Sequence, residues 1–408
     1  MAKPNLHFAS LSTTAKSTLK QLKLSEAATF IRGSSLSKDD VREVADVSNG
    51  VPCVLYGHLY TTYGEIAYSS KYVTDTEIDE KVTSKAGDVL MPTSDVTPRG
   101  LATATCVMFD NAIVGGDINI LRPQPGIDGR YLSLAINSQK QKLYPLIVGS
   151  TIRHLHASDL KGLSYFFPSI EEQQKIAEFF TALDEKLSIV SNVCLSFERL
   201  YKSTISDLLA QRIRFKSNNQ TYYPEWNHCR LGDIFKVCMC KRVFKDETSA
   251  EGDVPFYKIG TLGKEPDSFI SKELFEQYVE KYSYPKKGDT LISCSGTVGK
   301  CVVFDGKASY YQDSNIIWLE PINTDYSYDK RFLTLVLENY NWGDLSASTI
   351  KRIYSSDILE KLFVEPCIDE QRAIADFAFD LKEKIAICNK KLEALKQLKK
   401  AFMQRMFV

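Results

Sequence analysis

Two groups of residues in this 408-residue chain carry side chains suited to gripping base edges and phosphates. In the first half these are Tyr60, Thr61, Thr62, Tyr63 and Arg99. In the second half they are Ser295, Thr297, Lys300, Tyr311 and Gln312. Arginine and lysine bond the guanine edge, glutamine bonds adenine bidentately, and threonine donates, accepts or touches the thymine methyl. Arg153, Lys351 and Arg352 have the charge to hold phosphates. Taken singly, each is more often an ordinary surface residue than a contact to DNA.

Stronger chemistry is missing from the sequence. Ser295-Gly-Thr-Val-Gly-Lys300 is rich in glycine, yet Cys294 stands where a P-loop needs its first glycine, and Cys301 replaces the Ser/Thr after the lysine. It reads as a tight turn between strands with Thr297 and Lys300 exposed. No GxGxxG opens a βα unit, and there is no nucleophile elbow, HExxH or Asn-Pro-Pro-Tyr-type motif. Asp267, Lys272 and Glu273 do not form a nuclease arrangement. Cys238-x-Cys240, with His228 and Cys229 nearby, lacks the paired spacing of a zinc site. The sequence points to a binding or scaffold protein that is not catalytic by itself and holds no metal.

Lysine plus arginine balances aspartate plus glutamate at 51 each, so the chain as a whole is not a phosphate-clinging basic protein. Neutrality leaves room for base reading within a larger, more basic complex. Ten cysteines without a framework spacing are expected to be reduced thiols. No apolar run has transmembrane length and no h-region opens the chain, so a cytoplasmic location is expected.

The elements that must position these groups are set by two long amphipathic stretches. In residues 168–213, Ile176, Phe180, Leu183, Leu187, Val190, Cys194, Phe197 and Tyr201 alternate steps of four and three, an a/d seam of about four heptads. Pro168 opens it, Ser169 can cap it, and Glu171 and Glu172 suit the positive end of a helix. Residues 366–408 repeat the design. Laying Pro168 on Pro366 also lays Glu172 on Glu370, Gln173 on Gln371, Ile176 on Ile374 and Leu183 on Leu381. The second seam runs through Ile374, Ala378, Leu381, Ile385, Cys388, Leu392 and Leu395, then drifts at Lys399. Phe179, Leu195, Leu200, Ile205 and Leu209 fall off the first seam and could form a second apolar surface.

The preceding globules repeat as well. Leu24-Ser-Glu-Ala is answered by Leu231-Gly-Asp-Ile, Val51-Pro52 by Val254-Pro255, and Gly87-Asp88 by Gly288-Asp289. Thr151-Ile-Arg153 is answered by Thr349-Ile-Lys351, and Asp159 by Asp357. Such self-similarity marks an internal duplication. The expected organisation is a mixed α/β globule at 1–167, a long helix at 168–216, a second globule at 217–365 and a second long helix at 366–408. Because the linker after the first helix is short, an antiparallel helix pair is favoured.

With these motifs in hand, the chain resembles the specificity (S) subunit of type I restriction-modification systems. The resemblance rests on VPCVLYGHLYTTYGEI (51–66), GGDINILRP (115–123), SGTVGK (295–300), PSIEEQQKIAEFFTALDEKL and PCIDEQRAIADFAFDLKEKI. It implies an α+β fold with two target-recognition domains, separated and joined by two long antiparallel coiled-coil helices. It further implies that each domain reads one part of a bipartite double-stranded DNA site and that the helices dock two methyltransferase subunits. Motor-endonuclease subunits would join that assembly, with the methyl donor, ATP and magnesium bound by the partners. One departure is that no tryptophan precedes Leu24 as Trp226 precedes Leu231. The alternative from a different class is a coiled-coil structural adaptor whose globules bind proteins.

Overall fold

The computed structural model describes residues 19–46, 50–77, 82–217, 219–342 and 352–407. Thr349, Ile350 and Lys351 lie outside the described residues. The chain divides into two compact units, Met1–Asn192 with Asn389–Val408, and Val193–Cys388.

In the first unit, alternation of small and branched apolar residues builds a five-stranded sheet. Its order is Ala28–Arg32, Ile118–Pro123, Asp88–Pro92, Thr105–Val107 and Ile66–Ala67. Every residue of Asp88–Pro92 is buried, as expected for a central strand covered on both faces. The helix Gly129–Ser138 lies against the strands Asp88–Pro92 and Thr105–Val107. A four-stranded sheet of Ile113–Val114, Val51–Val54, Tyr72–Thr74 and Val41–Glu43 adjoins it. Gly33 allows the two sheets to meet: a Cβ there would stand 2.0 Å from the Gly115 carbonyl oxygen.

The second unit repeats the scheme. Phe235–Met239, Ile316–Pro321, Thr290–Ser293 and Cys301–Val303 form a four-stranded sheet, and Phe269–Ile270, Val254–Tyr257 and Tyr310–Tyr311 a three-stranded one. The paired motifs carry equivalent geometry. Gly87 and Gly288 both adopt positive φ, at +95° and +89°, ahead of a buried aspartate. Asp88 is held by Arg122 at 2.8 Å, and Asp289 by Lys330 at 2.6 Å.

The long helices are Ile170–Leu209 and Ile368–Met406. Within the first unit they run antiparallel: Phe179 meets Phe402 edge-on at 5.0 Å between ring centroids, and Asp184 meets Lys399 at 2.6 Å. Within the second unit Cys194 meets Cys388 and Tyr201 lies under Lys382 at 5.7 Å, again antiparallel. Of the seam residues, Ile176, Phe180, Leu183, Val190, Ile374 and Leu381 are buried, while Leu187, Phe197, Ile385, Leu392 and Leu395 are half-buried.

Two expectations are corrected here. Cys194 and Cys388 are joined in a disulfide with Cα atoms 5.7 Å apart, so not all cysteines are reduced thiols. Both occupy seam positions, and the antiparallel register brings them face to face. The off-seam apolar set also fails to form one surface. Ile205 is fully buried in the second unit's core, Phe179 is half-buried against Phe402, and only Leu195 and Leu200 of the five are exposed.

The repeated Glu-Gln pair explains how each helix joins its globule. Gln173 accepts from the Asp128 backbone N–H at 3.0 Å and donates to the Pro168 carbonyl at 3.0 Å. Gln371 accepts from the Asp329 N–H at 3.0 Å and donates to the Pro366 carbonyl at 2.9 Å. Asp128 caps Gly129–Ser138 by accepting from the Arg130 and Tyr131 N–H groups, and Asp329 caps Lys330–Asn339 by accepting from those of Arg331 and Phe332. Gln371→Ala should therefore cost about 1–3 kcal/mol, because it strands a buried N–H and carbonyl. Urea denaturation measures this, and a loss under about 0.5 kcal/mol would remove the glutamine from the account.

Candidate nucleic-acid interface

The first unit gathers its sequence-selected residues at one corner. The segment 60–64 is not a plain loop: Tyr60 and Thr61 end a one-turn helix, His58–Thr61. Arg99 likewise sits on the short helix Pro98–Leu101, capped by the Thr97 hydroxyl, which accepts from the Gly100 N–H at 3.1 Å. In both places a brief apolar-polar pattern is too short to show helical periodicity. Thr105 fixes the 59–64 segment from below, its hydroxyl donating to the Gly64 carbonyl at 3.0 Å. The Cys106 N–H and the Ser133 hydroxyl both donate to the Glu65 carbonyl, at 2.8 and 2.7 Å.

Between these segments lies a cleft of about 290 Å³ whose lining includes Tyr60, Tyr63, Glu65, Arg99, Asn137 and Lys140. The Tyr60 phenol is pushed up to about 12 by burial and by the neighbouring Asp95 carboxylate, so it is a neutral hydrogen-bonding group at physiological pH. Burial lowers the Lys140 pKa, Arg99 lowers it further, and Glu65 opposes both. Arg153 stands at the same corner, paired in strand register with Asp95 and donating to the Val96 carbonyl at 2.8 Å. Thr61 and Thr62 are turned to internal work: Thr61 donates to the Gly57 carbonyl at 2.8 Å, and Thr62 bonds the Tyr72 hydroxyl at 2.8 Å. The Tyr63 hydroxyl accepts from the Lys71 N–H at 2.9 Å. His58 is held neutral, with a pKa lowered to about 4 by burial and by Lys38, and its Nδ1 accepts from the Leu55 N–H.

The second unit also collects its sequence-selected residues, but spends most of their polar atoms on holding loops together. Ser295 is buried and donates to Asn315 at 2.8 Å. Gln312 accepts from the Ile259 N–H at 3.3 Å. Tyr311 is buried, with its hydroxyl on Ser309 at 2.8 Å. Lys300 is half-buried and its ammonium donates to the Leu262 carbonyl, so it is not the exposed cation that the turn suggested. Thr297 is exposed, as is Arg352, whose guanidinium lies 5.7 Å from the Tyr354 ring centre. Lys351 is outside the described residues.

Lys140 and Asn137 complete the first cleft and carry no sequence signal of their own. Lys140 sits in an unpatterned Gln-Lys-Gln-Lys run at 139–142; only the fold brings that run back beside Arg99. A larger cleft of about 440 Å³ runs along Arg32, Ser35, Lys38 and Gly116. There the Arg32 side chain donates to the Gly116 carbonyl at 3.3 Å. Among the described residues no cluster of His, Cys, Asp or Glu is arranged to hold a metal, and no helix is long and apolar enough to cross a membrane.

Comparison with known proteins agrees with the duplicated architecture. A chain described as a type I restriction enzyme specificity subunit from Haemophilus influenzae is 47% identical over 146 residues, covering 36% of this chain and 37% of that relative. The match thus spans well under half of that relative's length. The MjaIX specificity subunit of Methanocaldococcus jannaschii is 24% identical over 372 residues, covering 86% of this chain and 83% of that one. In fold, the crystal structure of a type I restriction-modification S subunit from M. genitalium superposes with a TM-score of 0.59 at 17% identity, covering 100% of this chain and 99% of that chain. Residues 16–193 and 223–397, both halves of the duplication, match the family described as the type I restriction modification DNA specificity domain, and the chain belongs to that family.

Proposed function

We propose that each globule reads one half of a bipartite double-stranded DNA site, the first through the Tyr60–Arg99–Lys140 cleft. In this reading the long helices dock two methyltransferase subunits, and motor-endonuclease subunits join the complex. The chain contributes recognition, not chemistry, while the methyl donor, ATP and magnesium belong to the partners. The observation that supports it most is the first cleft itself: two cationic side chains and two phenols converge on one concave surface. Cations offset phosphate charge, and phenols and amides present donors and acceptors to base edges.

The reading has a quantitative consequence. Each phosphate contact contributes about 0.9 to the slope of log affinity against log salt. Arg99→Ala and Lys140→Ala, each in the full chain reconstituted with methyltransferase subunits, should lower that slope by about 0.9 and weaken duplex binding. Fluorescence anisotropy across a salt series measures both. Unchanged slopes in both variants would leave the cleft without a role in holding DNA, and capture of a protein with no duplex binding would favour an adaptor.

A further inference from the structure

The second long helix reaches the first unit's cleft through one side chain. Lys399 ends 2.8 Å from Glu65 and 2.6 Å from Asp184, bridging a cleft-lining residue to the first long helix. Its side chain is only 17% exposed. Burial acts against its charge, yet the two carboxylates together hold its pKa above the ordinary lysine range. Glu65 responds in kind: burial would raise it, but Lys399 pulls it below the usual carboxylate range, with a smaller contribution from Lys140. Glu65 is therefore an anion within the field of Lys140, in a cleft whose other charged group is Arg99.

We propose that Lys399 is a positioning residue for the first recognition cleft: by binding Glu65 from the helix side, it keeps that carboxylate from capturing Lys140, so the Lys140 and Arg99 charges remain available to an anionic backbone. The proposal rests on the DNA-reading role given above. Without Lys399, Glu65 loses its nearest partner, and Lys140 becomes the cation that supports its charged form against burial. Lys140 is the cation whose field already reaches it. Pairing there removes one positive charge from the cleft and leaves a carboxylate close to the incoming phosphate. A residue near the chain's end thus tunes a surface built near its beginning, and the strict seam position that seemed wasted on a lysine acquires a purpose.

The test uses the full chain with its methyltransferase subunits and the duplex identified from methylated positions in cells. Lys399→Met should lower the salt slope by about 0.9, the value for one lost phosphate contact. Lys399→Arg, which can span both carboxylates, should restore it. The double variant Glu65→Gln/Lys399→Met should also restore the slope, because no carboxylate then competes for Lys140. Glu65→Gln alone, which does not depend on Lys399→Met folding, should tighten binding. A mere stability role predicts otherwise: lower melting temperature, an unchanged slope in the folded fraction and no rescue by the double variant. That pattern, or weaker binding by Glu65→Gln, overturns the proposal. If Arg99→Ala and Lys140→Ala lower the slope while Lys399→Met does not, the positioning role fails and the DNA-reading role stands. If none of the three changes it, the DNA-reading role itself fails.

Discussion

Exchanging the whole first unit, Met1–Asn192 with Asn389–Val408, for that of a relative is expected to change the methylated sequence in one half of the site and leave the other half unaltered. The exchange must include the chain's last segment because the first unit's core is built from both. Met403, Met406 and Phe407 are buried in the cluster that holds Tyr131, Phe167 and Phe180, and the Gln139 side chain donates to the Phe407 carbonyl. A transplant of residues 24–167 alone would set a foreign globule against these side chains and would present Lys399 with a residue other than Glu65. Lost packing of that kind costs several kcal/mol when large apolar groups are mismatched, typically about 2–5 for each large-to-small change. The whole-unit exchange avoids that cost if the heptad phase of both helices is kept. Each correct base contact is worth about 1–3 kcal/mol of discrimination, so a new set of three or four contacts redirects methylation almost completely. Sequencing of methylated positions in cells that also express the methyltransferase subunits reads the outcome. A change in both halves would refute independent reading by the two units.

What the sequence disclosed depended on whether a residue's job is local. The duplication was legible because its repeated residues answer local geometric demands. Gly87 and Gly288 take positive φ, and Gln173 and Gln371 tie each helix start to a capped helix in its globule. The seams were legible because heptad spacing is a property of one helix. Pairings across the chain were not. Cys194 and Cys388 look like unrelated thiols until the antiparallel register is known, and Lys399 looks like a defect until Asp184 and Glu65 come beside it. The candidate contact residues divide in the same way. Residue type suggested Tyr60 and Arg99, which line the cleft, but also Ser295, Tyr311 and Lys300, whose polar atoms are engaged in holding loops. Base-reading and loop-holding use the same side chains, so type alone does not separate them.

The largest single loss of stability is expected at Glu370. Its carboxylate is fully buried in the first turn of the second long helix, where the helix's positive end favours an anion. It accepts from Arg214 at 2.9 and 3.3 Å and from the Trp226 indole N–H at 2.8 Å. Arg214 also donates to the Tyr223 carbonyl at 3.0 Å and the Pro224 carbonyl at 2.6 Å, tying the segment after the first long helix to the start of the second. Glu370→Ala removes the buried counter-charge of Arg214, whose side chain is 12% exposed, leaves it only the exposed Glu225 carboxylate at 3.2 Å, and leaves the indole N–H unpaired. Breaking a buried pair by removing one partner costs about 3–5 kcal/mol, because the remaining charge stays buried. Glu370→Gln keeps an acceptor for one donor and should cost less. Asp376→Ala supplies the control: it breaks the exposed Arg331–Asp376 pair, whose side chains are 42% and 64% exposed, and should change stability by no more than about 1 kcal/mol. Urea denaturation followed by tryptophan fluorescence compares the three, with Trp226 reporting from beside the site. Should Glu370→Ala fall within about 1 kcal/mol of Asp376→Ala, the buried pair would not be what joins the second globule to its helix, and packing by Phe332, Phe363 and Ile374 would have to do so alone.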